Sequence, residues 1–423
     1  MPKGIGIDFG TTNSSIAVAD SDRASRTVQF KTVSGTTETY RSVLYFEPKT
    51  PAVCGPLAIE KYLAADEKGR LIQSLKSFLA SRLFTSTAVF DRTYTVEDLI
   101  TIILRDLRSQ ADPQVGGFDG AGIVVGRPVQ YSNANTDADN NFALERLKRA
   151  LEKAGIGPVT FEYEPVAAAY FYESTLDHDE LILIGDFGGG TSDFSMLRVG
   201  PAARKERSHR ILGTEGVALA GDAFDARVVR NLISLKLGRG SEYRSVDKVL
   251  PMPEWVYSDL ERWHYLSFLK SNDTIQMLRS IQAHSFEPEK IASLLHIIHD
   301  DLGFYLHQSV QAMKAELSNE MIGSFVFEDH AIQLRGRVKR TTFEGWIEED
   351  LQKIRGCVDR LLNATATTAS DIDRVFLTGG SSLVPSVRRI FEERFGVERI
   401  SSGSEFTSVA KGLALRAAEV QGS

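Results

Sequence analysis

The chain has 423 residues, more than one hydrophobic core usually serves, so two large lobes are expected. Its 42% apolar and 25% charged residues exclude bulk disorder, and a formal net charge of −7 argues against nucleic acid held in a general basic field. Cys54 and Cys357 cannot build a disulfide framework, the opening residues are too short and acidic for a signal peptide, and no apolar run is long enough to span a membrane. The expectation is a cytoplasmic protein with no nucleic-acid or membrane partner.

Alternating apolar residues predict strands at 4–8, 14–20, 27–33, 42–46 and 122–126. Val96, Leu99, Ile100, Ile103, Leu104 and Leu107 share one face of a predicted helix over 96–109, with Thr95 as its N-cap. Leu144, Leu147, Leu151 and Ala154 mark a second helix over 140–154, and Gly155 supplies its stop. The strand pattern returns at 180–200. The segment 236–310 reads as mainly helical and ends in the apolar helix pattern IASLLHIIHDDLGFYL. From 373 a strand runs through a Gly-Gly turn into the helix VPSVRRIFEERFG, and a last helix covers 407–420.

One pattern occurs twice. IGIDFGTTNSSIAVA and LIGDFGGGTSDFSML both run apolar strand, Asp-Phe-Gly, small polar loop, apolar strand. Their Asp8 and Asp186 stand 178 residues apart. A glycine-rich turn between strands leaves outward-facing backbone N–H groups that bind phosphate oxygens. A carboxylate beside phosphate is repulsive unless a cation lies between them, and Mg²⁺ is held by one or two carboxylates plus phosphate. Asp8 and Asp186 are therefore expected to form two walls of one Mg-phosphate site, one from each lobe. A single Asp-X-Gly-X-Thr loop is more often a polar turn. Two copies with matched strands, plus a third Gly-Gly turn at 379–380, reverse that balance.

IGIDFGTTNS, GDFGGGTSD and VFLTGGSSLVP resemble the two phosphate loops and the adenosine loop of the actin-like ATPase superfamily. With YEPVAAAY at 163–170, AGDAFDARV at 220–228, MKAELS at 313–318 and SVAKGLALRA at 408–417, the chain is identified as resembling the heat-shock protein 70 (DnaK) family, in its short YegD-type form. The resemblance implies an α/β, two-lobed actin-like ATPase fold, with duplicated ribonuclease-H-like mixed sheets and a nucleotide cleft between the lobes. Lobe I would be 1–170, with a smaller subdomain around 30–112. Lobe II would be 171–423, with a mainly helical insertion around 222–320. No C-terminal peptide-binding domain is expected.

The resemblance also implies ATP or ADP and Mg²⁺ as cofactors, slow ATP hydrolysis, a possible co-chaperone partner and a monomer. Asp8 and Asp186 would hold hydrated Mg²⁺. Gly10, Thr11, Thr12 and Asn13, with Gly188, Gly189, Gly190 and Thr191, would grip the phosphates. Lys76 matches the catalytic lysine, Glu164 the water-activating carboxylate and Asp193 a second acid near that water; Thr191 also belongs to this catalytic set. Gly379, Gly380 and Ser381 would line the adenosine pocket, Lys314 and Ser318 would reach ribose and adenine, and Gly221 would approach the nucleotide closely.

Four positions depart from the family: Leu383 replaces an adenine-stacking Arg, Gln311 a Glu, Ser77 an Arg and Ala223 an acid. Loss of the guanidinium stack predicts weaker nucleotide binding. The polar stretch SNANTDADNN at 132–141 is longer than the family's. His296, His299, Asp300 and His307 could share a helical face, which reads more readily as its polar side than as a metal site. The basic run at 204–210 reads as a solvated loop, and Trp255 and Trp263 as packing.

Overall fold

The repeat in the sequence is a repeat of topology. A computed structural model describes residues 4–20, 24–32, 35–65, 69–173, 176–203, 211–262, 265–402 and 408–421, leaving the basic run 204–210 and Trp263 outside the described residues. The chain divides into two compact units. The first comprises Met1–Ala220, Lys353–Leu383 and Val387–Ser423; the second comprises Gly221–Gln352 with Val384–Ser386.

The first unit holds two mixed sheets. In one, β1 (Gly4–Asp8), β2 (Asn13–Ala19) and β3 (Ser25–Thr27) form an antiparallel meander. β4 (Gly122–Arg127) joins β1 in parallel, and β5 (Thr160–Tyr163) joins β4 in parallel. The other sheet repeats this. β6 (Glu180–Phe187), β7 (Ser192–Val199) and β8 (Ile211–Val217) form the meander. β9 (Arg374–Thr378) and β10 (Ile400–Ser402) add the two parallel strands. The short strand Tyr40–Arg41 extends the first sheet by pairing with the start of β2.

Two helices cover these sheets, and their sequences explain their closeness. Helix Ser408–Gln421 lies on β1, helix Glu164–Glu173 lies on β6 and β7, and the two helices pack together. A Cβ on Gly412 would stand 1.7 Å from the Ala167 carbonyl oxygen. The alanine run of YEPVAAAY and the glycine of SVAKGLALRA therefore let two backbones touch. Val166, Ala167, Ile182, Ile184, Leu197, Phe376, Val409 and Leu413 fill the core between them. This packing fixes Glu164, the first residue of its helix, at the strand ends.

Several predicted bounds shift. The strand expected at 27–33 splits into β3 and Phe30–Thr32, because the Val28 amide turns to Ile16 O and the Gln29 amide to Gln114 Oε1. The helix expected over 96–109 runs Val96–Val115, since Ala111 and Val115 extend its buried face. The helix expected over 140–154 starts at Asp137. Half of the polar stretch 132–141 is thus a helix start, capped by Thr136 and Asp139.

The second unit is mainly helical, with Glu254–Leu260, Leu266–Leu269, Asn272–His284, Pro288–His299 and Gly303–Asn319. It also has two hairpins, Glu242–Ser245 with Lys248–Pro251 and Ile322–Asp329 with Ile332–Lys339. The pattern IASLLHIIHDDLGFYL is two helices, broken where Asp301 takes a left-handed φ of 55°. Trp255 is 45% exposed, against the expectation that it packs the interior. Among the described residues no helix is long and apolar enough to cross a membrane.

Candidate functional site

Each duplicated hairpin carries an acid at the end of its first strand, Asp8 as the last residue of β1 and Asp186 as the last but one of β6. Asp8 lies opposite Ser15 in the β1–β2 register, and Asp186 lies opposite Asp193 in the β6–β7 register. The loops that follow tighten differently. The Gly10 amide donates to Ser14 Oγ at 3.2 Å, and the Gly188 amide donates to Thr191 O at 2.9 Å. A Cβ on Gly10 would stand 2.0 Å from Asn13 O, so this turn closes only without a side chain. Thr11, Thr12, Asn13, Gly189, Gly190 and Thr191 are half-buried, and Gly188 is exposed.

Glu164 and Asp193 are buried and Asp8 and Asp186 half-buried, with too little positive charge beside them. Lys76 sits in the single-turn helix Leu75–Phe78, and its Nζ donates to Glu164 Oε1 at 2.5 Å. It is only 7% exposed, so it is no surface lysine. Burial alone would lower its pKa, but the attraction of Glu164 and Asp8 outweighs burial and raises it. Burial pushes the Asp8 carboxyl well above the usual range; Glu164 and Asp186 add repulsion that Lys76 only partly offsets. Asp186 is raised to about 6 by burial and by Glu164, against the Thr378 hydroxyl that donates to its Oδ1 at 2.5 Å. Asp193 is raised to about 8 by burial and by Glu164. The Gln130 amide donates to Asp193 Oδ1 at 3.1 Å. The structure thus brings Asp8, Lys76, Glu164, Asp186 and Asp193 into one electrostatic neighbourhood.

Four groups at this centre escape a reading of motifs. Thr378 orients Asp186, and Gln130 orients Asp193. Tyr131 is fully buried, and its hydroxyl has no hydrogen-bond partner among the described residues. Burial raises its pKa, and Lys76, Arg127, Glu164 and Asp193 all act on it electrostatically. Arg41 is opposite Asn13 in the register, and its Nη1 donates to Asn13 Oδ1 at 3.1 Å. Burial lowers its pKa, with no carboxylate contributing. Asp8 pairs with Ser15, and Ser15 and Asn13 are two residues apart on β2, so Asp8, Asn13 and Arg41 share one face of the sheet. The only signal in the sequence was a cation two residues before the apolar run VLYF.

The Gly-Gly turn after β9 lies in the same unit. Gly379 has φ of 82°, and a Cβ there would stand 2.1 Å from Phe187 O. Gly380 and Ser381 begin a short helical turn, with Ser381 buried. Leu383 is 54% exposed. Gly221, Lys314 and Ser318 belong to the second unit. There Lys314 Nζ pairs with Asp225 Oδ1 at 2.6 Å and donates to Gly221 O at 3.3 Å. Ser318 Oγ donates to Lys314 O at 3.2 Å.

A family model described as Hsp70 protein matches residues 80–243 and 273–423. The chain belongs to the Hsp70 family. Membership carries the α/β fold of the actin-like ATPases, in agreement with the two matching mixed sheets. Among similar Hsp70 proteins, the chaperone protein DnaK of Thermotoga petrophila is 25% identical over 427 residues, covering 99% of this chain and 59% of that protein. DnaK of Deinococcus proteolyticus is 25% identical over 453 residues, covering 100% of this chain and 60% of that protein. DnaK of Thermosipho africanus is 24% identical over 420 residues. The chain spans about three fifths of the length of these relatives.

Proposed function

We propose that the chain binds and slowly hydrolyses ATP in a Mg²⁺-dependent manner, and that its nucleotide state is signalled to a protein partner. The observation that carries this reading is the charge imbalance at this centre: four carboxyls, half-buried Asp8 and Asp186 and buried Glu164 and Asp193, stand in the electrostatic reach of one buried ammonium, Lys76. Oxygen donors in excess negative charge suit a hard divalent cation. The partnerless Tyr131 hydroxyl leaves further polar capacity beside them. The residues therefore fit the ion that the family implies.

In this reading Asp8 and Asp186 hold Mg²⁺, which when bound neutralises phosphate charge. The Gly10–Asn13 and Gly188–Thr191 loops grip the β- and γ-phosphates through backbone amides and hydroxyls. Arg41 adds a guanidinium from beside Asn13. Lys76 sets a fixed positive charge where negative charge grows at the transferring phosphoryl group. Glu164 accepts a proton from the attacking water, and Asp193, held by the Gln130 amide, helps to orient that water. Gly379, Gly380 and Ser381 contact the nucleoside.

Single-turnover hydrolysis of ATP with and without Mg²⁺ tests this. Hydrolysis should need Mg²⁺ and fall about 100-fold or more in Lys76→Ala and Thr191→Ala, while ADP still binds. Ser77, where the family carries an Arg directly after the catalytic lysine, favours one second reading, a nucleotide-binding adaptor without turnover. ADP binding with no phosphate release above background would select it.

A further inference from the structure

We propose that the second unit carries a separate transition-metal site, of the kind that takes Zn²⁺, formed by His296, Asp329 and His330. One ligand atom from each of these residues lies within 4.8 Å of the others. His296 Nε2 stands 2.6 Å from Asp329 Oδ2, and His330 Nδ1 stands 3.0 Å from Asp329 Oδ1. The two imidazoles approach edge to face, with centroids 5.1 Å apart. Ligand atoms around tetrahedral zinc sit about 3.3 Å apart, given Zn–N and Zn–O bonds of about 2.0–2.1 Å. Side-chain rotation must draw the three donors from within 4.8 Å of one another to about 3.3 Å to place them on one ion.

The contacts behind these ligands point to a metal rather than to a chance cluster. His296 Nδ1 stands 2.9 Å from Asp300 Oδ2, and Asp300 Oδ1 is held in turn by His299 Nδ1 at 2.6 Å. A metal-bound imidazole characteristically donates its other N–H to a carboxylate, which fixes the tautomer and ring orientation. Asp300 occupies that position and leaves Nε2 facing Asp329 and His330. Zinc takes the place of the Nε2 hydrogen, which leaves to solvent. The His330 side chain is 78% exposed, which opens the three ligand atoms to solvent and leaves a water free to be the fourth ligand.

The elements explain why sequence spacing missed this arrangement. His296 and His299 come from helix Pro288–His299, whereas Asp329 ends the strand Ile322–Asp329 and His330 opens the hairpin turn after it. His307, which the helical pattern grouped with the first two, is buried on another helix, where its Nε2 meets Leu260 O at 3.1 Å.

The test is equilibrium dialysis of the chelator-treated full chain against Zn²⁺, with Mg·ADP present to occupy the acidic centre. One zinc per chain is expected at micromolar concentration, with Co²⁺ giving a visible absorption band of tetrahedral type. His296→Ala and His330→Ala should each weaken binding at least tenfold, and Asp300→Asn about tenfold or more. The His330 side chain is 78% exposed, so its removal leaves the fold intact and keeps the test valid if His296→Ala does not fold. Absence of stoichiometric zinc overturns the site. So does zinc that survives in His330→Ala but is lost in Asp8→Asn.

Discussion

The two hairpins share a backbone plan and divide the chemistry between them. Both run strand, Asp-Phe-Gly, short polar turn, strand, yet the residue opposite the acid differs: Ser15 faces Asp8, whereas Asp193 faces Asp186. The neighbouring parallel strand differs as well. Thr378 of β9 donates its hydroxyl to Asp186. In β4 the residue after Val125, the partner of Ile7, is Gly126, where a Cβ would crowd Glu164 Cγ at 3.1 Å. The first hairpin thereby makes room for Glu164 and gains Arg41 beside its loop. The second gains an extra acid and a more glycine-rich loop. The two hairpins thus share their paired acids and differ by an added acid, Asp193, on one side and an added cation, Arg41, on the other.

The largest expected effect tests what the halves share. Asp8→Asn and Asp186→Asn should each weaken Mg²⁺-dependent ADP binding about 100-fold, or ~2.7 kcal/mol, and chelation of Mg²⁺ in the wild type should do the same. A loss confined to one of the two variants would break the symmetry. The next effect separates the turns. Gly10→Ala should destabilise the fold by about 1–3 kcal/mol in urea unfolding, because its Cβ would stand 2.0 Å from a backbone oxygen, whereas at Gly188, whose Cβ would meet Thr191 O at an ordinary 3.4 Å, the cost should stay below about 1 kcal/mol. Equal costs would mean that the loops close alike.

A smaller effect tests the cation found on one side only. Arg41→Ala should weaken ADP binding about tenfold, or ~1.4 kcal/mol, with unfolding nearly unchanged, and Arg41→Lys should restore part of it. If both variants bind as the wild type does, Arg41 does not reach phosphate. The smallest effect is that of Thr378→Val, which removes a single donor to Asp186 and should cost about 1 kcal/mol of stability without Mg²⁺. With Mg²⁺ and ADP bound the deficit should shrink, because the ion then satisfies Asp186.

The sequence carried the site's framework where chemistry and local pattern coincide. Asp8 and Asp186 were legible because each ends an apolar strand and precedes a glycine, and the repeat tied them together. Glu164 was legible only through the family resemblance, since nothing local says that its helix starts at a strand end. Lys76 reads locally as a surface residue; its burial against Glu164, 88 positions away, is a tertiary fact. Arg41, Thr378 and Tyr131 have no local signature, because their roles come from register and packing between distant segments. The helix start at Asp137 hid inside a polar run whose asparagines and aspartates also suit turns.

The most direct measurement is calorimetric titration of ADP into the protein, with Mg²⁺ and then with EDTA. The account expects saturable binding at micromolar to submicromolar concentration with the ion, and a fall of about 100-fold without it. Failure of ADP to associate at millimolar concentration with Mg²⁺ present, or equal affinity in both conditions, would contradict the claim that two repeated acidic turns share one magnesium-bound polyphosphate.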